Sequence, residues 1–336
     1  MEIFKPEKVY FENDVLNYPL GIELIDRYTN LGISLTEIDS HNKIPELREL
    51  PDSEFVNMKK YLIIGIRKTL RLIPNTRSAD FIVPFTSSGC SAMCLYCYLV
   101  CTYFKNSYLR VFVNREQMIE EVRKKAKKFA DKKVYEIGCN SDMVLENAIT
   151  GNLKWAIEEF GKIDNAIATF ATKFSMVDDL LNINHNCHTQ MRISVNPEYI
   201  IRKVEIGTSS LKARINAANK LYNAGYRIGV NIAPIILLDN WEIMYAELLN
   251  ILKDNLDTGL QKQLFFELIF MTYGYTNMTI NKAALPTAID VFDKDIMRPK
   301  GRGKYMYKSD IKEDAEKFMK DLIFDLFPYS TISYIV

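Results

Sequence analysis

Residues 81–110 read FIVPFTSSGCSAMCLYCYLVCTYFKNSYLR, and the rest of the chain is understood outward from them. A short apolar run of strand character, Phe81–Phe85, leads into a polar turn, Thr86-Ser87-Ser88-Gly89. Cys90, Cys94 and Cys97 follow in the spacing C-x-x-x-C-x-x-C, with Tyr96 and Tyr98 on either side of the third. Three thiolates this close together hold a metal ion or cluster but leave one position without a thiolate. A structural site closes its coordination, whereas a catalytic centre keeps a position open. The spacing is neither the paired C-x-x-C of structural zinc nor a ferredoxin pattern. On the residues alone three readings stay open: an iron–sulfur cluster, a zinc ion completed by His41, His185 or His188, and a redox pair at Cys94 and Cys97.

After Phe81 the chain alternates. Strand-like runs at Phe81–Phe85, Val134–Gly138, Ala166–Ala168, Gln190–Val195, Arg227–Ile232 and Leu264–Phe270 are separated by helical patterns. Those patterns cover Arg115–Ala130, Leu153–Phe160, Ser175–Leu181, Ser209–Ala224 and Trp241–Leu252, and a last one covers Lys312–Leu326. Asn114 and Ser209 are read as helix N-caps and Gly225 as a stop. Alternation of this kind predicts an α/β fold with a parallel sheet. Six units are too few for an eight-stranded barrel, so a partial, six-unit β/α barrel is expected from about residue 79 to 336. Residues 1–78 form an N-terminal appendage, and residues 299–308 form a C-terminal β-hairpin. Sites in such folds lie at the carboxyl ends of the strands, so motifs at strand ends are expected to meet at one mouth.

The 336 residues include 48% hydrophobic ones, enough for a large core. The start, MEIFKPEKVYFEND, is charged throughout and lacks the apolar run of a signal peptide. No segment reads as a membrane helix, and the clustered cysteines suit a reducing cytoplasm better than a disulfide framework. A net charge of +1 supplies no global field for nucleic acid. Any DNA contact would therefore use local patches, with Lys59–Arg71 and Pro299–Lys308 as candidates. Few phosphate contacts and a shallow salt dependence follow from that balance.

The cysteine loop is similar to that of the radical S-adenosylmethionine enzymes. The wider run SSGCSAMCLYCYLVC, together with EIGCNSDMVLENAITG (136–151), residues 171–174, 192–197 and 301–307, resembles the spore photoproduct lyase family within them. The resemblance implies that Cys90, Cys94 and Cys97 hold one 4Fe–4S cluster whose fourth iron takes S-adenosylmethionine. It further implies that the resulting 5′-deoxyadenosyl radical reverses a methylene-bridged thymine dimer in DNA, 5-thyminyl-5,6-dihydrothymine, to two thymines. Cys139 would return a hydrogen atom to the substrate radical, with Tyr98, and less directly Tyr96, restoring or shielding the thiyl. Ser141, Lys173, Ser194 and Ala233 fall at positions resembling the family's cofactor contacts, Lys173 pairing with the methionyl carboxylate. Arg302, Lys304 and Tyr305 would meet ultraviolet-damaged DNA at the hairpin.

The same resemblance implies an electron donor of flavodoxin or ferredoxin type. A monomer without membrane attachment is expected, in the cytoplasm of the spore core or germinating cell. Without the resemblance, Cys139 reads as a buried cysteine at a strand end, and Lys173 and residues 300–305 as solvated surface. The competing functional readings are a radical enzyme acting on a peptide or small molecule, and a zinc-stabilised nucleic-acid-binding module without chemistry.

Overall fold

The structure is a computed structural model that describes residues 4–84, 86–103 and 107–336. Two sheets organise it. In the larger, strands at Phe81–Ile82, Lys133–Glu136, Ala166–Thr172, Thr189–Val195, Arg227–Ile235 and Phe265–Phe270 lie in chain order and parallel. These are the six expected units. The sheet stays open, bounded at one end by Ile73–Pro74, antiparallel to Phe81–Ile82, and at the other by a further parallel strand, Thr331–Ile335. That last strand escaped the sequence reading because it lies past the final helix, Ser309–Leu326, with no following unit to bracket it.

Side chains alternate across a strand with period two, and here the alternation divides chemistry from packing. Met191, Ile193, Val195, Val230, Ile232, Phe266 and Leu268 are buried in one core with helix residues such as Leu153, Leu211, Ile215 and Leu249. Their neighbours in sequence, Arg192, Ser194, Asn231 and Ala233, line the cavity on the other face. Burying apolar strand faces under helices stabilises the sheet, and it leaves the polar faces free for a site.

Several expectations are corrected in detail. Ser175–Leu181 is not an α-helix: only Asp178–Leu180 coils, as a 3-10 turn. The long helix starts at Leu211, and Ser210 rather than Ser209 caps it by accepting from the Ala213 amide. Ser209 instead faces Ser175, whose amide it accepts at 3.0 Å. Asn114 occupies the N-cap position of the Arg115–Ala126 helix, yet its Oδ1 accepts the Arg67 amide at 2.8 Å, tying two segments together. Gly225 does end its helix, with φ of +87°. Phe85, the end of the first expected strand, lies outside the described residues.

The smaller sheet runs Ser34–Ile38, Lys8–Glu12, Tyr61–Gly65, Leu109–Phe112 in parallel, with Ser87–Ser88 antiparallel on its edge. Val9, Leu62, Ile64, Leu109 and Val111 pack with Leu20, Leu24 and Tyr28 of the Pro19–Asn30 helix. Two of its strands therefore come from either side of the cysteine loop, which is slung between them.

Candidate active site

The polar strand ends and the cysteine loop enclose a cavity of about 520 Å³. Cys90, Cys94, Cys97, Tyr96, Tyr98, Cys139, Ser141, Lys173, Ser194 and Ala233 all line it. The strand-end rule thus gathers ten side chains spread over more than 140 positions of sequence at one mouth.

The loop's path is fixed by groups far from it in sequence. Gly89 has φ of +80°, and a Cβ there would lie 1.9 Å from the Tyr108 carbonyl oxygen, so only glycine fits before Cys90. Lys59, 3% exposed, donates from Nζ to the Cys90 carbonyl at 2.9 Å and to the Ser107 carbonyl at 2.8 Å. It is an internal clamp and is not part of a DNA-facing patch. Met93–Cys94 pairs antiparallel with Glu205–Ile206, and the Leu95 amide donates to the Val204 carbonyl at 2.9 Å. From the Tyr275–Ala284 helix, Asn277 donates to the Cys97 carbonyl at 2.9 Å and Asn281 to the Leu95 carbonyl at 2.7 Å. Their i, i+4 spacing places both amides on one helix face, a signal visible in the sequence only once the partner is known.

Burial pushes the Cys90 thiol up to about 12, Asp142 adding to the effect and Lys59 opposing it. Cys94 is raised well above the ordinary thiol range by burial and by Glu205. A thiolate at either position needs a cation beside it, which iron supplies. Among the described residues no three His, Cys, Asp or Glu side chains converge on a single point. The three thiols line one cavity. The histidines offered for zinc are engaged elsewhere. His41 Nδ1 lies 3.0 Å from Glu12, His185 stacks on Tyr226 with ring centroids 4.0 Å apart, and His188 Nδ1 lies 3.1 Å from the Phe160 carbonyl. Cys101 turns away to Asn277, and Cys187 is exposed.

The Tyr98 hydroxyl and the Cys139 thiol are neighbours in the cavity, close enough to influence each other electrostatically. Tyr98 is 53% exposed and faces the cavity. Burial, and then the Glu136 carboxylate, raise the Cys139 thiol, so it stays protonated and keeps its S–H at neutral pH. Tyr96 points elsewhere, donating its hydroxyl to Glu205.

Glu205, which the sequence reading missed, is the centre of a buried polar cluster. Arg214 lies 2.7 Å away, Lys173 Nζ 4.0 Å away, and Asn196 donates at 2.9 Å. Lys173 also donates to the Ala233 carbonyl at 2.9 Å, so two of the candidate cofactor contacts touch each other. Ser141 meets Ser87, and the adjacent Asp142 caps the Met143–Thr150 helix while accepting the Lys173 amide at 2.8 Å. Arg192 bridges Glu136 and Glu267 across the strand ends. The Asn231 Oδ1 and Arg192 Nε, both buried in cavity-lining residues, have no hydrogen-bond partner among the described residues. Polar atoms left unmet inside a cavity fit a polar ligand such as S-adenosylmethionine.

The expected hairpin is present, Met297–Gly301 against Lys304–Tyr307, extended by Thr272–Gly274. Arg302 (φ +52°) and Gly303 (φ +68°) make its turn, the double positive φ that two-residue hairpins use. Arg302 and Lys304 are exposed at this tip, whereas Tyr305 packs on Phe292 with ring centroids 4.7 Å apart. None of the three lines the cavity. A Cβ on Gly274 would lie 2.5 Å from Cys101 Sγ, so the hairpin sheet sits close against the Tyr98–Tyr103 helix.

The family model of spore photoproduct lyase matches residues 4–336. The chain is 36% identical to the spore photoproduct lyase of Bacillus subtilis over 340 residues, covering 98% of each. It is 36% identical to that of a Geobacillus species, covering 99% of each. A solved spore photoproduct lyase complexed with dinucleoside spore photoproduct superposes at a TM-score of 0.93 with 34% identity, and each chain is fully covered. A mutant lyase with bound AdoMet and dinucleoside spore photoproduct superposes at 0.94 with 33% identity, again over both whole chains. Sequence, fold and site geometry lead to one assignment: this chain belongs to the spore photoproduct lyase family.

Proposed function

We propose that this chain repairs ultraviolet-damaged DNA, converting 5-thyminyl-5,6-dihydrothymine to two thymines. The observation that carries the reading is that Tyr98 and Cys139 line the same cavity as Cys90, Cys94 and Cys97. A cluster thiolate set alone would serve any radical S-adenosylmethionine enzyme, including one acting on a peptide. A protonated thiol beside a phenol adds what this reaction needs at its end, a hydrogen-atom donor.

Cys90, Cys94 and Cys97 would hold the 4Fe–4S cluster, and Ser141, Lys173, Ser194 and Ala233 would hold S-adenosylmethionine. When bound, the two together supply the 5′-deoxyadenosyl radical that removes hydrogen from C6 of the lesion. Lys173, fixed by the Ala233 carbonyl and by Asp142 at its amide, presents its ammonium to a carboxylate. The apolar wall of Ile269, Phe270 and Met271 helps to exclude water. Once the methylene bridge has broken, the Cys139 S–H gives its hydrogen to the thymine-side radical, and the electron deficit moves to sulfur. Tyr98, beside that sulfur, returns a hydrogen atom to it, and the radical left on the phenol oxygen takes an electron from the external donor and a proton from solvent. Tyr96 serves to orient Glu205 and acts one step removed from the thiol.

The exposed Arg302 and Lys304 would hold strand phosphates while the lesion is turned out of the helix. Electrons would come from a flavodoxin- or ferredoxin-type donor, and the chain would act as a monomer in the cytoplasm of the spore or germinating cell. No helix of the described residues is long and apolar enough to cross a membrane. The test is an anaerobic reaction of the reconstituted protein with reductant, S-adenosylmethionine and the synthetic dinucleotide lesion. Restored thymines that require both cofactors are expected. Formation of 5′-deoxyadenosine without repair would move the assignment to another substrate.

A further inference from the structure

A single exposed aromatic ring is ordinary on a protein surface, so only its setting can give it a role. Among the described residues the exposed aromatic side chains are Tyr98, Tyr199, Tyr275, Phe324 and Tyr329. Tyr98 belongs to the cavity of the cysteine loop. Tyr199 lines a groove with Asp239, Asp290, Asp293 and Asp295 against the single Lys294, which repels a phosphate strand. Phe324 and Tyr329 lie at and just past the end of the last helix, with Asp321 and Asp325 near them in sequence.

Tyr275, 63% exposed, stands in a different setting. Its amide donates to the Gly303 carbonyl at 2.7 Å, and a Cβ on Gly303 would stand 3.7 Å from the Tyr275 Cβ. The phenol is therefore rooted against the turn of the C-terminal hairpin, and the exposed Arg302 and Lys304 are the residues on either side of that glycine. The run RPKGRGK, residues 298–304, holds four cations and no acid. Tyr305, the aromatic residue of the same hairpin, is half-buried and packs edge-on against Phe292, so Tyr275 is the ring exposed at the tip. Position links the tip to the cavity. Thr272 lines the cavity, and the strand Thr272–Gly274 runs from there straight into Tyr275. Three residues of strand span about 10 Å, a short reach for a nucleotide that flanks a dinucleotide seated in the cavity.

We propose that Tyr275 stacks on a base of the lesion-bearing strand next to the damaged dinucleotide, between phosphates held by Arg302 and Lys304. The proposal rests on the repair function above. Cations that track the backbone, with an aromatic ring for the bases, are the combination that binds single strands without regard to sequence. A lesion turned out of the helix leaves its neighbours unstacked and in need of such a ring. The helix that begins at Tyr275 also carries Asn277 and Asn281, the donors to the Cys97 and Leu95 carbonyls. A base anchored on Tyr275 would thus be indexed, through one helix, to the loop of the three cysteines.

The test compares the lesion as a bare dinucleoside with the same lesion in a single-stranded oligonucleotide. The proteins are the unaltered chain, Tyr275→Ala and Tyr275→Phe, with melting temperature and iron content measured alongside. Tyr275→Ala should bind the oligonucleotide roughly tenfold more weakly, the loss of one stacked base. Its salt slope should not change, because no charge has been removed. Tyr275→Phe keeps the ring and should bind within about twofold of the unaltered chain. Repair of the bare dinucleoside should be alike in all three, since Tyr275 does not line the cavity. Full affinity in Tyr275→Ala, a loss in Tyr275→Phe equal to that in Tyr275→Ala, or an equal loss on the dinucleoside would each overturn the proposal. If the unaltered chain leaves the dinucleoside unrepaired, the repair reading has failed, and the oligonucleotide affinities still judge Tyr275.

Discussion

Tyr98 and Cys139 are neighbours inside the cavity that the three loop cysteines line. Removing either partner should separate the two ends of the reaction. Cys139→Ala should still consume the lesion but release misquenched thymine adducts in place of clean thymines. Tyr98→Phe should give clean thymines at first and then lose activity within a few turnovers, because the thiyl is no longer restored. Product masses over the time course distinguish the two. Clean, sustained repair by Cys139→Ala would remove it from the donor role.

Lys59→Met should loosen the cysteine loop without touching substrate. It strips the Cys90 carbonyl of its Lys59 donor, at a cost of about 1–3 kcal/mol, while the Ser107 carbonyl still accepts from the Cys90 amide. Iron bound per chain after reconstitution should drop, and the melting temperature should fall with it. Full iron occupancy in the variant would show that the clamp is dispensable.

Glu205→Gln should destabilise the fold, because Arg214, fully buried, loses its carboxylate partner 2.7 Å away. Breaking a buried pair from one side costs about 3–5 kcal/mol. Burial alone would raise the Glu205 carboxyl, but Arg214, Lys173 and two side-chain hydrogen bonds outweigh it and hold it below the ordinary carboxylate range. A carboxyl lowered on folding adds stability above its unfolded pKa, about 4.3, and that stability drains away as pH falls through the folded value. The melting-temperature gap between parent and Glu205→Gln should therefore be widest near neutral pH and close in acid. A gap independent of pH would refute the charge argument.

Arg302→Ala with Lys304→Ala should weaken binding of lesion-bearing DNA about tenfold and leave uncoupled cleavage of S-adenosylmethionine unchanged, since neither residue lines the cavity. Unaltered DNA affinity would demote the hairpin to a scaffold.

The sequence made the catalytic half of this molecule legible because its signals are local. Cys90, Cys94 and Cys97 share one loop, and Cys139, Lys173, Ser194 and Ala233 each follow or end a run of strand character. The hairpin could be read for the same reason, since Gly301 and Gly303 bracket its turn. What stayed hidden depends on partners distant in sequence. Glu205 looks like any exposed glutamate until Arg214 and Tyr96 close around it, and Lys59 looks like part of a surface patch until the Cys90 carbonyl is seen beside it. Asn277 and Asn281 are polar residues on a helix with no motif of their own. The resemblance places Tyr98 ahead of Tyr96, and the fold supplies a physical reason, since the Tyr96 hydroxyl donates to Glu205.

The backbone of residues 90–97 is held by Lys59 from one side and by Val204, Asn277 and Asn281 from the other. A chain emerging from the ribosome therefore carries the three cysteines long before it carries the residues that hold them in place. Stable metal loading should wait until residue 281 has been made and docked. Truncated chains ending short of that point should emerge colourless, with oxidisable thiols, however intact their first strands.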